Sequence, residues 1–289
     1  MRDYSFFSYA KINLHLQVLR KRPNGYHEIE TIFYRIPLKD QLRISARSGK
    51  GLTILCSHPE VPRNSSNTIA KAYRLLCRYL GEEPGVSVEI QKRVPVGGGL
   101  GGGSANAAAF LLAINEFLAL RLPFETLLDI GKEVGADVPF FLLNESAALA
   151  KGVGQDLTPI KAGLKGTLLL VIPPFGVSTA WAYSHLSFPL TPPSIDINIL
   201  ASFVERGEIR ELATRAFNHL EGPVFSRYPP LESVKMGLQE KGAAMALLSG
   251  SGSTLFGIFD DVKRAHEVAS WISKMGWKTI RISLEGNGV

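Results

Sequence analysis

The chain is 289 residues long, 45% hydrophobic and 20% charged, with a formal net charge of +6. That length suits one large domain or two modest ones, and no apolar run approaches the roughly 18–20 residues of a membrane span. The basic residues are scattered, as at Arg20–Arg22, Lys92–Arg93 and Lys263–Arg264, which argues against a nucleic-acid partner and fits a small polyanion such as a nucleotide phosphate. The N-terminal stretch lacks the apolar core of a signal peptide, so a cytoplasmic location is expected. Only Cys56 and Cys77 are present, in no metal-ligand or paired pattern, and Cys77 reads as a hydrophobe on a helix face.

Taken in order, Ser5–Leu19 alternates around Lys11–Val18 and predicts a strand. Pro23-Asn24-Gly25 marks a turn before Tyr26 and His27. Strand-like runs follow at Ile29–Ile36, Gln41–Ala46 and Leu52–Cys56, then a helix over Asn67–Leu80 and a strand over Val86–Lys92.

That strand leads into the most informative stretch, Pro95–Ser104. Six glycines fill seven positions, Gly97, Gly98, Gly99, Gly101, Gly102 and Gly103, with only Leu100 between them. Glycine permits φ > 0 and lets a ligand approach the backbone without meeting a Cβ. A helix predicted over Ala105–Leu120 would aim its free N–H groups and positive dipole end at the loop, where the usual guest is phosphate. Two common glycine-loop patterns fit poorly. Gly103 is followed by Ser104 and Ala105 rather than Lys-Ser/Thr, so this is not a P-loop. The spacing Gly97, Gly99, Gly102 satisfies the dinucleotide pattern, but the region ~20 residues on reads as a helix, Phe124–Glu133, instead of a strand ending in an acidic residue.

Gly135–Leu143, Ser146–Lys151 and Asp156–Pro159 close the first half. A buried strand is expected over Gly166–Pro173, then helices over Ile197–Glu205, Ile209–Ala216 and Leu231–Lys241. Strands at Ala244–Leu248 and Leu255–Phe259 are joined by Ser249–Thr254. A helix over Val262–Met275 and a strand over Trp277–Leu284 end the chain. The order approximates β-α-β-β-α-β with an extra helix, a ferredoxin-like arrangement. A connector near Lys161–Lys165 divides the chain into two domains, 1–161 and 162–289.

Three segments, Ala10–Leu14, Gly97–Asn106 and Leu248–Thr254, together resemble the three motifs of the kinase superfamily that includes galactokinase, homoserine kinase, mevalonate kinase and phosphomevalonate kinase. Gly25–His27, Pro95–Ser104 and Gly135–Phe140 resemble in more detail the members acting on 4-diphosphocytidyl-2-C-methyl-D-erythritol. The matches run in order from about residue 5 to about residue 260, and as a set they are specific. The resemblance implies an α+β, two-domain kinase fold, with an N-terminal ribosomal-protein-S5-domain-2-like domain, 1–161, for ATP binding and catalysis and a C-terminal ferredoxin-like domain, 162–289, for substrate binding. It implies ATP-dependent phosphorylation of the 2-hydroxyl of that cytidyl diphosphate polyol, in non-mevalonate isoprenoid precursor synthesis, by a monomer or homodimer. The alternatives are another small-alcohol kinase, for homoserine or mevalonate, or a non-catalytic nucleotide sensor. Tyr26-His27 argues against the first, whose substrates carry no base; Lys11 and Asp137 together argue against the second.

The resemblance also implies roles. Asp137 is the general base, although an aspartate there also reads as a helix cap. Lys11 pairs with that aspartate and the substrate hydroxyl, and Asn13, two residues along the strand, lies on the same face and bonds substrate or orients the site. Tyr26 and His27 contact the cytosine, His27 at the base edge, while Tyr183 stacks on it with Thr179 nearby and Trp181 competing for the role. Asn67 and Lys92 border the adenine of ATP, Asn67 reading equally as a helix cap. Pro95, Gly97–Gly103 and Ser104 wrap the phosphates, with Ser104 the one candidate Mg²⁺ ligand. Gly250 and Ser251 border the substrate diphosphate. The chain departs from the family pattern at Ala105, where a second serine is usual, and at His219, where aspartate is usual.

Overall fold

The structure, a computed structural model, describes residues 3–187 and 195–284. The chain forms two compact units that interleave along the sequence. The first comprises residues up to Ala10, Leu38–Val96 and Gly101–Asn144; the second comprises Lys11–Pro37, Gly97–Leu100 and the chain from Glu145 onward.

Two long strands, β1 (Asp3–Lys21) and β2 (His27–Lys50), pair with each other and pass through both units. The apolar pattern predicts two strands where β2 runs unbroken. Pro37 explains the difference: it lacks an N–H for the ladder, and it sits where β2 changes partner. Thr31–Tyr34 pair with β5 (Ala147–Lys151), whereas Gln41–Ala46 pair with β4 (Pro84–Gln91).

In the first unit β3 (Leu52–Cys56) lies parallel to β4, and the crossover between them carries α1 (Thr68–Leu80). Helix α1 buries Ile69, Ala72, Tyr73, Leu76 and Cys77, the i, i+3, i+4, i+7, i+8 stripe of a one-faced helix. It stops at Gly81, whose left-handed φ of 72° lets its N–H bond Cys77 O at 2.9 Å. Against it pack α2 (Gly102–Phe117) and α3 (Phe124–Val134), and α4 (Val138–Leu143) packs on both. Helix α2 begins three residues earlier than its alanine run predicts, so the glycine run supplies its first turn.

In the second unit β5 also pairs with β6 (Asp156–Ile160). A four-stranded antiparallel sheet has the order β10 (Lys278–Ser283), β7 (Thr167–Ile172), β9 (Leu255–Phe259), β8 (Met245–Leu248). With α9 (Pro229–Glu240) and α10 (Val262–Ser273) packed on it, this is the expected ferredoxin-like arrangement. Between β7 and α9 the chain inserts α5 (Thr179–Ser184), α6 (Ile197–Arg206), α7 (Ile209–Arg215) and α8 (Glu221–Arg227). Leu169, Val171, Leu248, Leu255 and Phe259 from the sheet meet Leu238, Val268 and Ile272 from the helices in one buried cluster.

One face of β1 in this unit is a buried row of polar side chains: Lys11, Asn13, His15 and Gln17. His15 is fully buried, and desolvation drives its pKa down to about 4, with the nearby Gln17 side chain opposing and the His219 charge reinforcing. The folded pKa lies below the unfolded value of ~6.5. The unfolded chain therefore takes up the proton first as pH falls, so the stability held by neutral His15 is complete above pH ~6.5 and drains toward pH 4. Urea unfolding should show about 3 kcal/mol lost across that window on this account, and His15→Asn should flatten that part of the profile. An identical profile in the variant would contradict the assignment.

Candidate active site

In the first unit, Gly101 caps α2 in the left-handed region, φ 69°, and as a glycine supplies no side-chain capping bond. The first intrahelical bond runs from Ala105 N–H to Gly101 O at 2.8 Å. Helix geometry thus leaves the N–H groups of Gly102, Gly103 and Ser104 without intrahelical acceptors, at the positive end of a 16-residue helix. A Cβ on Gly102 would come within 3.1 Å of Lys92 Nζ and Val94 Cγ1. Thr68 fixes the other side, its hydroxyl donating to Gly103 O at 2.6 Å. Ser104 is half-buried on this first turn.

Lys92 is not a free cation on the approach to Pro95. Its ammonium is buried, 2.7 Å from Asp40 Oδ2 and 2.6 Å from Val94 O, and Asp40 Oδ1 accepts from the N–H groups of Arg93 and Val94. Burial lowers the Lys92 pKa and the Asp40 carboxylate opposes that shift. The pair braces the backbone entering the glycine run. Asp40 was not singled out in the sequence, where it lies between two strand-like runs and carries no motif. Asn67 caps α1, Oδ1 accepting from Ile69 N–H at 2.9 Å and Nδ2 donating to Pro62 O at 2.6 Å. Asp137 stands at the N-cap position of α4, half-buried, with no capping bond from its side chain. The cap reading of that carboxylate thus has no support in the geometry.

In the second unit, Lys11 Nζ donates to Asn13 Oδ1 at 2.6 Å, and Asn13 Nδ2 donates to Thr31 Oγ1 at 2.8 Å. This chain orients the lysine and accounts for both ends of the asparagine amide. The carbonyls of Gly98, Gly99 and Leu100 are each tied back, to Thr254 N–H, Ser249 Oγ and Lys11 N–H. Carbonyl oxygens held this way do not turn their negative ends toward an arriving phosphate. Leu100, the one side chain in the glycine run, is buried as its anchor. Gly99 has φ 73°, and a Cβ there would lie 2.0 Å from Ser249 O, so only glycine fits.

The Ser249–Thr254 loop meets the same place. A Cβ on Gly250, φ 55°, would sit 3.2 Å from Asn13 Oδ1, 3.2 Å from Gly99 O and 3.4 Å from Lys11 Nζ. The three serines are buried braces: Ser249 to Gly99 O, Ser251 to Thr179 Oγ1 at 2.8 Å, and Ser253 to Phe175 O. Thr179 and Ser251 are therefore brought together, as bonded partners. His27 and Tyr183 are also brought together, ring centroids 5.1 Å apart at 31°. Burial followed by the Lys21 charge lowers the His27 pKa, which favours a neutral imidazole that both donates and accepts. Trp181 packs elsewhere, against His185 and Tyr228 with the Arg227 guanidinium over its ring. Tyr26 leaves the Pro23–Gly25 turn 62% exposed.

The chain matches the model of the GHMP kinases N terminal domain over residues 67–145 and that of the GHMP kinases C terminal region over residues 200–276. It is 39% identical over 278 residues to a 4-diphosphocytidyl-2-C-methyl-D-erythritol kinase of Geobacter sp. (strain M21), covering 96% of this chain and 97% of that one. The enzyme of the same description from Citrifermentans bemidjiense is likewise 39% identical, over the same shares. Among solved structures, a 4-(cytidine 5'-diphospho)-2C-methyl-D-erythritol kinase superimposes with a TM-score of 0.80 at 31% identity, covering 97% of this chain and 98% of that one.

Proposed function

Because the chain belongs to the 4-diphosphocytidyl-2-C-methyl-D-erythritol kinase family of the GHMP kinases, we propose that it phosphorylates the 2-hydroxyl of that cytidyl polyol with ATP. Asp137 takes the hydroxyl proton; the freed oxygen attacks the γ-phosphorus, and the bond to the β–γ bridging oxygen breaks to release ADP. Lys11, oriented by Asn13, supplies positive charge for the reacting hydroxyl. The glycine run and the first turn of α2 receive phosphates. ATP of this kind is used with Mg²⁺, which neutralises phosphate charge, and the Ser104 hydroxyl is an oxygen donor of the sort Mg²⁺ takes. The side-chain ammonium of Lys92 faces Asp40, so any adenine contact at this residue is assigned to its backbone. A domain boundary at residues 161 and 162 falls between the two family matches and is proposed on that ground.

The observation that carries the choice of substrate is the His27–Tyr183 ring pair, an apolar face beside a neutral polar edge, which suits a pyrimidine base. The test is a product assay with ATP and the cytidyl polyol, run beside homoserine and mevalonate. Phosphorylation of the cytidyl polyol alone supports the reading. Turnover of homoserine or mevalonate alone would move the chain to another branch, and ATP binding with no product would leave a sensor.

The pocket itself is tested by calorimetric titration with cytidine diphosphate and with an ATP analogue. His27→Ala should weaken cytidine diphosphate by about 1–3 kcal/mol, the cost of an unpaired buried polar group, and leave the ATP analogue unchanged. Tyr183→Ala should cost a similar amount, since stacking a base on an aromatic ring is worth about 1–3 kcal/mol, whereas Tyr183→Phe should be mild. Equal loss of both ligands in His27→Ala would reduce His27 to a support of the fold.

A further inference from the structure

Side chains of the Asn218–Glu221 segment reach the site just described. Leu248 is the last residue of β8, the edge strand of its sheet, and beyond it the hairpin closes with Ser249 N–H donating to Thr254 O at 2.9 Å. Two side chains, the buried Asn218 and the partly buried Glu221, bond that outer edge and the loop. Asn218 Nδ2 donates to Leu248 O at 2.8 Å and to Gly250 O at 2.7 Å, using both of its hydrogens. Glu221 Oε1 accepts from Leu248 N–H at 2.9 Å, while its Oε2 meets Lys235 Nζ at 2.6 Å.

The segment is in turn fixed to the strand that carries Lys11 and Asn13. Leu16 N–H donates to Phe217 O at 2.9 Å, His219 N–H donates to Leu16 O at 3.0 Å, and Val18 N–H donates to His219 Nδ1 at 3.0 Å. Phe217 N–H reaches the buried His15 Nδ1 at 3.3 Å. Asn218 Oδ1 accepts from Leu220 N–H at 2.9 Å, which sets the amide so that its NH₂ points at the loop. The strand bearing the lysine and the loop bearing Gly250 are thus referenced to each other through one asparagine amide.

We propose that Asn218 is a positioning residue, which holds Gly250 against Lys11 and Asn13 while Glu221 fixes the strand end from which the loop leaves. The loop needs such a device: Gly250 and Gly252 both have positive φ and no side chain to lock them, and the three serines bond other segments. The role in catalysis rests on the kinase reading above; the clamp itself rests only on the hydrogen bonds.

The test compares wild type with Asn218→Asp, which keeps the shape and the acceptor for Leu220 but sets a carboxylate against two carbonyls. Leu238→Ala, a buried core change in the same unit, serves as the comparator. Three measurements are made: kinetics with the cytidyl polyol, affinity for an ATP analogue, and amide hydrogen exchange. In Asn218→Asp, kcat/KM for the cytidyl polyol should fall about 10–100-fold, the scale of a small misplacement at a reacting centre. ATP-analogue affinity should hold within about twofold, and amides of 248–254 should exchange faster while those of α10 do not. Leu238→Ala should lower Tm without that fall in kcat/KM. Normal kcat/KM in folded Asn218→Asp would overturn the positioning role even if exchange rises, and unchanged exchange at 248–254 would overturn the clamp. If wild type does not phosphorylate the cytidyl polyol, the kinase reading fails, and exchange alone decides the clamp. If Asn218→Asp does not fold, Asn218→Ser, which loses one of the two donors, carries the same comparison.

Discussion

Asp137→Asn is expected to lose nearly all turnover while ATP still binds. The amide keeps the shape of the carboxylate but cannot accept the substrate proton, and a positioned base is worth about 10²–10⁴-fold. Asp137 stands where a helix cap would, yet no capping bond engages its side chain, so the group is not committed to closing α4. Single-turnover measurements on the folded variant, with binding of an ATP analogue followed by calorimetry, separate chemistry from affinity. Turnover within a few-fold of wild type would remove Asp137 from the role of base.

The largest stability effect is expected from a residue no motif marks. Asp40→Ala should cost about 3–5 kcal/mol, because it strands the buried ammonium of Lys92. It also takes the acceptor from the Arg93 and Val94 N–H groups. Asp40→Asn should cost less, since its Oδ1 still serves both N–H groups. Asp40→Ala combined with Lys92→Met should recover part of the loss, as removing both partners of a buried pair is milder than removing one. Urea unfolding of the three variants gives the ranking. A loss below about 1 kcal/mol for Asp40→Ala would mean the pair behaves as an exposed one.

Much of the fold was legible because it is written in periodicity. Leu52–Cys56 is the strand its alternation announces, and the stripe of α1 gives that helix its buried face. Short helices were not legible. Val138–Leu143 and Thr179–Ser184 are six residues each, too short to show a 3.6 period, and Glu221–Arg227 holds Gly222 and Pro223, which weigh against a helix. The glycine run, the Lys11–Asn13 pairing on one face and the nearness of His27 to Tyr183 could be anticipated from motif order. Asp40 and the grip of Asn218 on the Gly250 loop could not, because each depends on which distant backbone groups lack a ladder partner. That is a property of the folded chain and leaves no local mark.

The interleaving of the two units sets an order of events during synthesis. All of the first unit has been made once Asn144 leaves the ribosome. Lys11–Pro37 is made before the rest of the second unit, and beyond the β1–β2 pairing its partners come late: β5 begins at Ala147, and the segment that bonds Leu16 and Val18 lies at residues 217–219. At about 5–20 residues per second, this nascent stretch waits roughly 10–40 s for its last partners. Its alternating apolar side chains, buried in the finished protein, are exposed to water or to a chaperone throughout that interval.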